Sequence, residues 1–396
     1  MPDHGTDRQR DVYIAGAAGE TPDVPPSYEK LREAAREEMT DKAYGYVEGG
    51  AGEEDTAREN REAFRRWRIV PNLMNDVSER ALSTTVLGDE LDVPFVLAPV
   101  GVLSIVHEGA ETAVARASSS LDVPFVLSTV SSHTIEEVAE EANDSAEGDA
   151  PPRWFQLYPS TDEALNRSLL HRAEEAGYTG VVVTVDTPLL GWRERDIENA
   201  YLPFLDAEGL DNYFNDPVFR GSLDDTPEEN EFAAIRHFID IFSDASFTPE
   251  TLAGTVDSTD LPVVVKGLLT PEDAIAAIDA GAEGVVVSNH GGRQVDGATG
   301  ALDALPRVAE ALKDETVLFD SGVRRGADAL KALALGADAV MLGRPYVYGL
   351  GLAGEDGVRE VVKNLRADID LTLGLTGRTS VDDVDASLVR ESPRYR

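Results

Sequence analysis

Side chains able to move protons and hold anions recur at the ends of short apolar runs in this chain. Gln156 and Tyr158 close RWFQLYP, Thr184 and Asp186 close GVVVTVD, Lys266 closes PVVVKG, and Ser288 with His290 closes GVVVSNH. His290 and Arg293 lie in SNHGGRQVDG, whose two glycines allow a tight loop and the close approach of a ligand. A histidine can serve as a base near neutral pH, and Asp186, if it reaches the imidazole, would orient the ring and stabilise the imidazolium. Arg293 offers a planar fork matched to a carboxylate. A base beside a carboxylate clamp points to a 2-hydroxy acid or an amino acid as substrate. Taken singly, Asp186 could cap a turn and Lys266 could be a surface lysine at a strand's exit. Their joint placement is what argues for a site.

A second group suits a phosphate. FDSGVRRGAD (319–328) and LGRP (342–345) combine small residues with Arg324 and Arg344. Glycine-freed backbone N–H groups at a helix N-terminus, with arginines beside them, cradle phosphate oxygens. The plainer reading is a pair of ordinary glycine turns; the recurrence of the pattern in both loops favours a phosphorylated cofactor.

Eight short runs without polar alternation position these groups: PFVLAPV (94–100), PFVLSTV (124–130), RWFQLYP (153–159), GVVVTVD (180–186), PVVVKG (262–267), GVVVSNH (284–290), TVLFDSG (316–322) and AVMLGRP (339–345). Such runs suit strands buried on both faces of a parallel sheet. Helical segments such as 270–284 and 325–340 separate them, the latter reaching Gly336 as a C-cap. Eight strand–helix units predict an α/β fold, the (β/α)8 TIM barrel, with its site at the C-terminal strand ends; an open doubly wound sheet is the alternative. The spacing predicts one barrel domain over 27–396. Its N-terminal helical segment, beginning at SYEKLREAAREEM and running to about Trp67, should cap the barrel, and residues 1–26 are expected to be disordered. Between Leu189 and Asp260 about seventy residues separate strands four and five, long enough to be an active-site lid.

The charge excludes other classes. With 35 Lys and Arg against 74 Asp and Glu, the 396-residue chain carries −39, the opposite of a nucleic-acid binder or a polybasic lipid anchor. Hydrophobic residues still make up 42% of the chain, enough for a large core. Six of the basic residues are lysine, and this acidic, arginine-biased composition suits a halophilic, high-salt cytoplasm that screens the surface. No cysteine is present, so thiolate metal sites and disulfides are excluded, and no metal is expected. The first 25 residues show no signal-peptide pattern and no apolar stretch reaches about 18 residues, so a cytoplasmic protein without a transmembrane segment is expected.

From about Ser27 onward, SNHGGRQVDG, FDSGVRRGADALKALALGADAVMLGRP and TVDTPLLGWRERD resemble the FMN-dependent 2-hydroxy acid oxidases and dehydrogenases. The resemblance implies FMN as cofactor, a small 2-hydroxy acid and O2 or another electron acceptor as partners, and a homotetramer or homo-octamer. It implies His290 as catalytic base, Asp186 as its partner and Lys266 as counter-charge to the reduced flavin. Arg193, Arg293, Tyr46 and Tyr158 would hold the substrate. Pro99, Val100, Gly101, Ser128, Gln156, Thr184, Lys266 and Ser288 would surround the flavin ring and ribityl chain, and Asp320, Gly322, Arg324, Gly343 and Arg344 the ribityl and phosphate. Many members have Thr-Ala where Val100-Gly101 stands here, and Gly101 should leave extra space beside the flavin. The insert, with GWRERDIENAYLPFL and NYFNDPVF, looks like the long lid of lactate 2-monooxygenases, with Trp192, Tyr201, Phe204, Tyr213, Phe214 and Phe219 available to pack over the pocket or only to bury the insert. The reading is therefore lactate 2-monooxygenase. The alternatives are an L-lactate or glycolate oxidase or dehydrogenase, more remotely an FMN-dependent isopentenyl diphosphate isomerase, and last a flavin binder without catalysis.

Overall fold

The computed structural model describes residues 5–395. Barrel strands one to eight are Phe95–Leu97, Phe125–Ser128, Arg153–Leu157, Gly180–Thr184, Val263–Leu268, Gly284–Val287, Thr316–Phe319 and Ala339–Leu342, all parallel and paired in chain order. Strand eight pairs with strand one, Met341 opposite Val96, which closes the barrel and removes the open-sheet alternative. Seven of the strands fall inside one of the eight apolar runs, and strand five passes the end of its run by one residue, Leu268.

The lack of alternation follows from two apolar layers. Val96, Val126, Trp154, Val182, Val264, Val286, Leu318 and Met341 pack inside the barrel. Their neighbours Phe95, Leu97, Phe155, Val183, Val265 and Val287 pack outward in the layer that holds the helices. Both faces of every strand are therefore dry. The hairpin Thr84–Val86 and Asp89–Leu91 sends Val86 and Leu91 into the interior layer, at the end where Thr179, just before strand four, donates to Asp89. Polar groups are left to the opposite mouth. The outer helices start and stop where local chemistry directs: Thr270 accepts from the Asp273 N–H ahead of Pro271–Asp279, and Gly336 takes φ +107° just past Gly326–Ala334.

Helices Tyr28–Glu38, Asp41–Glu48 and Asp55–Arg66 form the N-terminal segment, and the second of them brings Tyr46 and Val47 to the barrel mouth. The expected disorder of residues 1–26 is corrected for those described: Gly5–Ala17 is a helix on the long C-terminal helix Arg344–Leu375. The Gly5 N–H donates to the Asp370 carboxylate at 2.8 Å, the Arg8 Nε donates to Asn364 at 3.1 Å, and Arg8 also pairs with Glu360. These anchors are polar and distant in sequence, so no apolar stripe announced the helix. Residues 1–4 lie outside the described residues.

The insert between strands four and five holds short helices Glu194–Glu198, Asp211–Phe214 and Pro217–Gly221, followed by Glu231–Ile241 and Pro249–Val256. Its aromatics divide. Tyr213 and Phe219 are fully buried within the insert's own cluster, Trp192 is 69% exposed, and Tyr201 lies under Lys42. Of the six residues named from the sequence, Phe204 alone lines the cavity, joined there by Phe242 at 5.6 Å between ring centroids.

Candidate active site

The proton-transfer groups converge at the C-terminal mouth. His290 Nδ1 lies 2.8 Å from Asp186 Oδ1, and His290 Nε2 faces the Tyr158 hydroxyl at 3.5 Å. Lys266 Nζ sits 4.0 Å from Asp186 and 3.6 Å from Asp320. Gly267, at φ +111° in a bulge of strand five, makes this possible: a Cβ there would stand 2.6 Å from that of Asp186. Burial would raise the Asp186 carboxyl, but His290 and Lys266 hold it below the usual carboxylate range. Burial pushes His290 down, more than Asp186 pushes it up, so the imidazole is neutral and its Nε2 is free to accept a proton. Burial and Asp186 push the Tyr158 phenol up, which keeps it a donor.

His290 has φ +57°, a left-handed backbone that a side chain adopts only under constraint. The constraint is a hydrogen-bond frame beneath it. The His290 N–H donates to Ser288 Oγ, the Gly291 N–H to Ser321 Oγ, and the Asn60 and Asn289 side chains bond each other at 2.8 and 2.7 Å. Helix Asp55–Arg66 thus fixes the angle at which the imidazole enters the site.

Two guanidinium groups lie across the cavity. Arg293 Nη1 donates to the carbonyls of Tyr46 and Gly49 at 2.5 and 2.6 Å, leaving its other nitrogens to the cavity. Burial, then Arg193, push the Arg293 guanidinium down to about 9. It stays charged at neutral pH, in a place that an anion would relieve. Arg193 reaches across from the insert, donating to the Arg293 carbonyl at 3.2 Å and to Gln294 at 3.1 Å. Gln294 in turn donates to the carbonyls of Asp186 and Leu189, tying the start of the insert to the base.

The remaining residues fit FMN. Pro99, Val100, Gly101, Lys266, Asp320, Gly322, Arg324, Gly343 and Arg344 line the cavity, while Ser128, Gln156, Thr184 and Ser288 lie buried at the strand ends. Gln156 Nε2, Thr184 Oγ1 and Arg324 Nε are buried without a protein partner, as expected of groups that complete their bonding with a bound polar molecule. Ser288 differs, since its hydroxyl donates to Asp320 at 2.8 Å. Arg344 spends donors on the carbonyls of Val47, Glu48, Gly49 and Gly291. The expectation that Gly101 leaves extra space is corrected: a Cβ there would meet the Val130 carbonyl at 2.4 Å and Ser128 Oγ at 2.9 Å. The glycine lets two strand exits approach each other.

Leu190, Leu202, Phe204 and Phe242 line the same cavity from the insert, with Val130 from strand two's exit. Except for Phe204, sequence reading missed these. Phe242 follows helix Glu231–Ile241, and its only signal was one apolar helical stripe among several. The insert is fastened to the barrel by a carboxylate-rich seam. Ser104 Oγ donates to Glu208, Asn212 Nδ2 donates to the Thr129 carbonyl at 3.1 Å, and Glu111 accepts from the N–H groups of Leu103 and Ser132 at 3.1 Å each. Burial, with Glu137, Glu111 and Glu208 nearby, pushes Asp211 from 3.8 up to about 6, against the pull of His133. Because the folded-state value is raised, the stability Asp211 contributes is full below about pH 4 and is lost as pH rises through about 6. Asp211→Asn, which mimics the protonated group, is therefore expected to stabilise the protein by about 1 kcal/mol at pH 8, after allowance for solvent screening, and by nothing near pH 4. Denaturant melts at the two pH values check this.

Comparison with known proteins agrees with this geometry. Residues 35–391 match the FMN-dependent dehydrogenase family model. An L-lactate oxidase of Lysinibacillus sphaericus is 42% identical over 94% of this chain and 94% of its own. An FMN-dependent alpha-hydroxy acid dehydrogenase of Penicillium citrinum is 43% identical over 91% and 89%. Among solved structures, an active chimera of (S)-mandelate dehydrogenase superposes with a TM-score of 0.81 at 36% identity, covering 92% of this chain and 99% of that one. With a family model matched over most of its length and relatives more than 40% identical over nine-tenths of it, this chain belongs to the FMN-dependent dehydrogenase family.

Proposed function

We propose that this enzyme is a lactate 2-monooxygenase, converting L-lactate and O2 to acetate, CO2 and water. The observation that carries the reading is the apolar roof of Leu190, Leu202, Phe204 and Phe242 over Tyr158 and His290. FMN, when bound, would supply the two-electron redox chemistry that couples oxidation of L-lactate to pyruvate with reduction of O2 to hydrogen peroxide. The protein's part is positional. Arg293, Arg193 and Tyr46 would hold the carboxylate, Tyr158 would orient the hydroxyl, and His290 Nε2 would take a proton while Asp186 steadies the resulting charge. Gln156, Thr184 and Lys266 would meet the flavin ring, the ammonium facing its developing negative charge. Arg324 and Arg344 would meet the phosphate.

The insert decides the outcome of a race. If its roof keeps pyruvate in place until peroxide reaches it, the two give acetate, CO2 and water; if the roof lifts first, both leave. The second reading, an oxidase that releases the 2-oxo acid, is favoured by the close packing at Gly101, which removes the extra space, and by the relative named L-lactate oxidase. Product analysis after aerobic turnover with L-lactate separates them. Acetate and CO2 with little peroxide is the expected result; stoichiometric pyruvate and peroxide would overturn the monooxygenase reading and leave the oxidase.

A further inference from the structure

A groove behind the phosphate loops breaks with the charge of the rest of the chain. It runs beside helices Tyr28–Glu38 and Asp55–Arg66, and it meets the active-site cavity at Gly291, Gly322, Arg324 and Arg344, which line both. Ten Arg and Lys against five Asp and Glu line it, a positive excess in a chain of net charge −39. Its outer cations reach solvent even where they are paired: the Arg65 side chain, beside Glu62, is 63% exposed and that of Arg325, beside Glu29, is 56% exposed. Arg68 has no carboxylate partner among the described residues. Deeper in, the Lys331 ammonium donates to the Phe64 carbonyl at 2.9 Å. Burial lowers its pKa against the pull of Asp328, and Arg68 and Arg61 lower it further. At the inner end, Arg324 Nε is buried without a partner.

We propose that this groove is the capture site for the cofactor's phosphate monoester, which meets Arg65, Arg68 and Lys331 before passing to Arg324 and Arg344. The need for it follows from charge. A dianion approaching a strongly anionic protein is repelled, whereas a cleft lined by cations and walled by protein focuses a favourable field at one place. The same field discriminates: FMN carries the dianion, and riboflavin, the same ring without phosphate, does not.

The two situations predict opposite signs of salt dependence. If FMN felt mainly the whole chain, added salt would screen repulsion and speed binding; if it is captured in the groove, salt slows binding. The test is stopped-flow quenching of flavin fluorescence on mixing FMN or riboflavin with flavin-free protein, over KCl concentrations at which its circular dichroism is native. The FMN association rate is expected to fall about tenfold across the range, with riboflavin nearly unchanged. The double variant Arg65→Glu, Arg68→Glu, at positions outside the cavity, is expected to lower the FMN association rate about tenfold at the lowest salt. Its circular dichroism and its FMN dissociation rate should stay as in the parent. Arg65→Ser, Arg68→Ser should fall between, which separates charge from a folding defect. An FMN association rate that rises with salt, or one that the charge reversal leaves unchanged, would overturn the proposal.

Discussion

Replacing His290 by alanine is expected to lower the rate of flavin reduction by L-lactate by about 10³–10⁴-fold while FMN remains bound. The upper part of the general-base range is the relevant one, because three features act together on this ring: the 2.8 Å contact to Asp186, the burial that keeps the imidazole neutral, and the frame beneath its φ of +57°. FMN should stay because none of the groups left unpartnered at the strand ends belongs to His290. Asp186→Asn should lose part of the same rate. It preserves the size of the side chain but removes the charge that would stabilise a protonated ring. Anaerobic stopped-flow spectra of each variant measure both effects; a His290→Ala protein that bleached at the parent rate would remove the assigned base.

Arg293→Lys is expected to raise the KM for L-lactate by about 10–100-fold, the worth of one or two hydrogen bonds between charged groups, with a smaller fall in kcat. The structure explains why so conservative a change should matter. One arm of the guanidinium already serves the Tyr46 and Gly49 carbonyls, so only a forked group can hold that turn and a substrate carboxylate together. An ammonium must abandon one of them. Steady-state kinetics with L-lactate give the split between KM and kcat, and an unchanged KM would place the carboxylate elsewhere.

The sequence revealed what obeys local rules. All eight strands were legible because two-sided burial writes uninterrupted Val and Leu runs, and Asp186, Lys266 and His290 were legible because a barrel puts strand ends at one mouth. The Asp186–His290 pairing joins residues 104 positions apart and was anticipated only through fold and family resemblance. Long-range polar matches were not legible: the helix Gly5–Ala17 depends on Asp370, and the tie between insert and base depends on Gln294. Gly101 was misread for a related reason, since a glycine signals either open space or close approach, and only the position of the Val130 carbonyl decides between them. The roof residues Leu190, Leu202 and Phe242 are ordinary apolar residues whose direction is set by how the insert folds back over the mouth.

The central claim is that a neutral His290, beside Asp186 and facing a pair of arginines, takes a proton from an L-2-hydroxy acid held over FMN. The most direct measurement is the anaerobic reduction of bound FMN by subsaturating L-lactate as a function of pH, which reports the ionisation of the free enzyme. Because burial lowers the His290 pKa, the neutral form persists into acid, and the rate should hold until below the ordinary histidine value of 6.5 before it falls. A rate that is already lost well above 6.5, or no bleaching by L-lactate at any pH, would contradict the account.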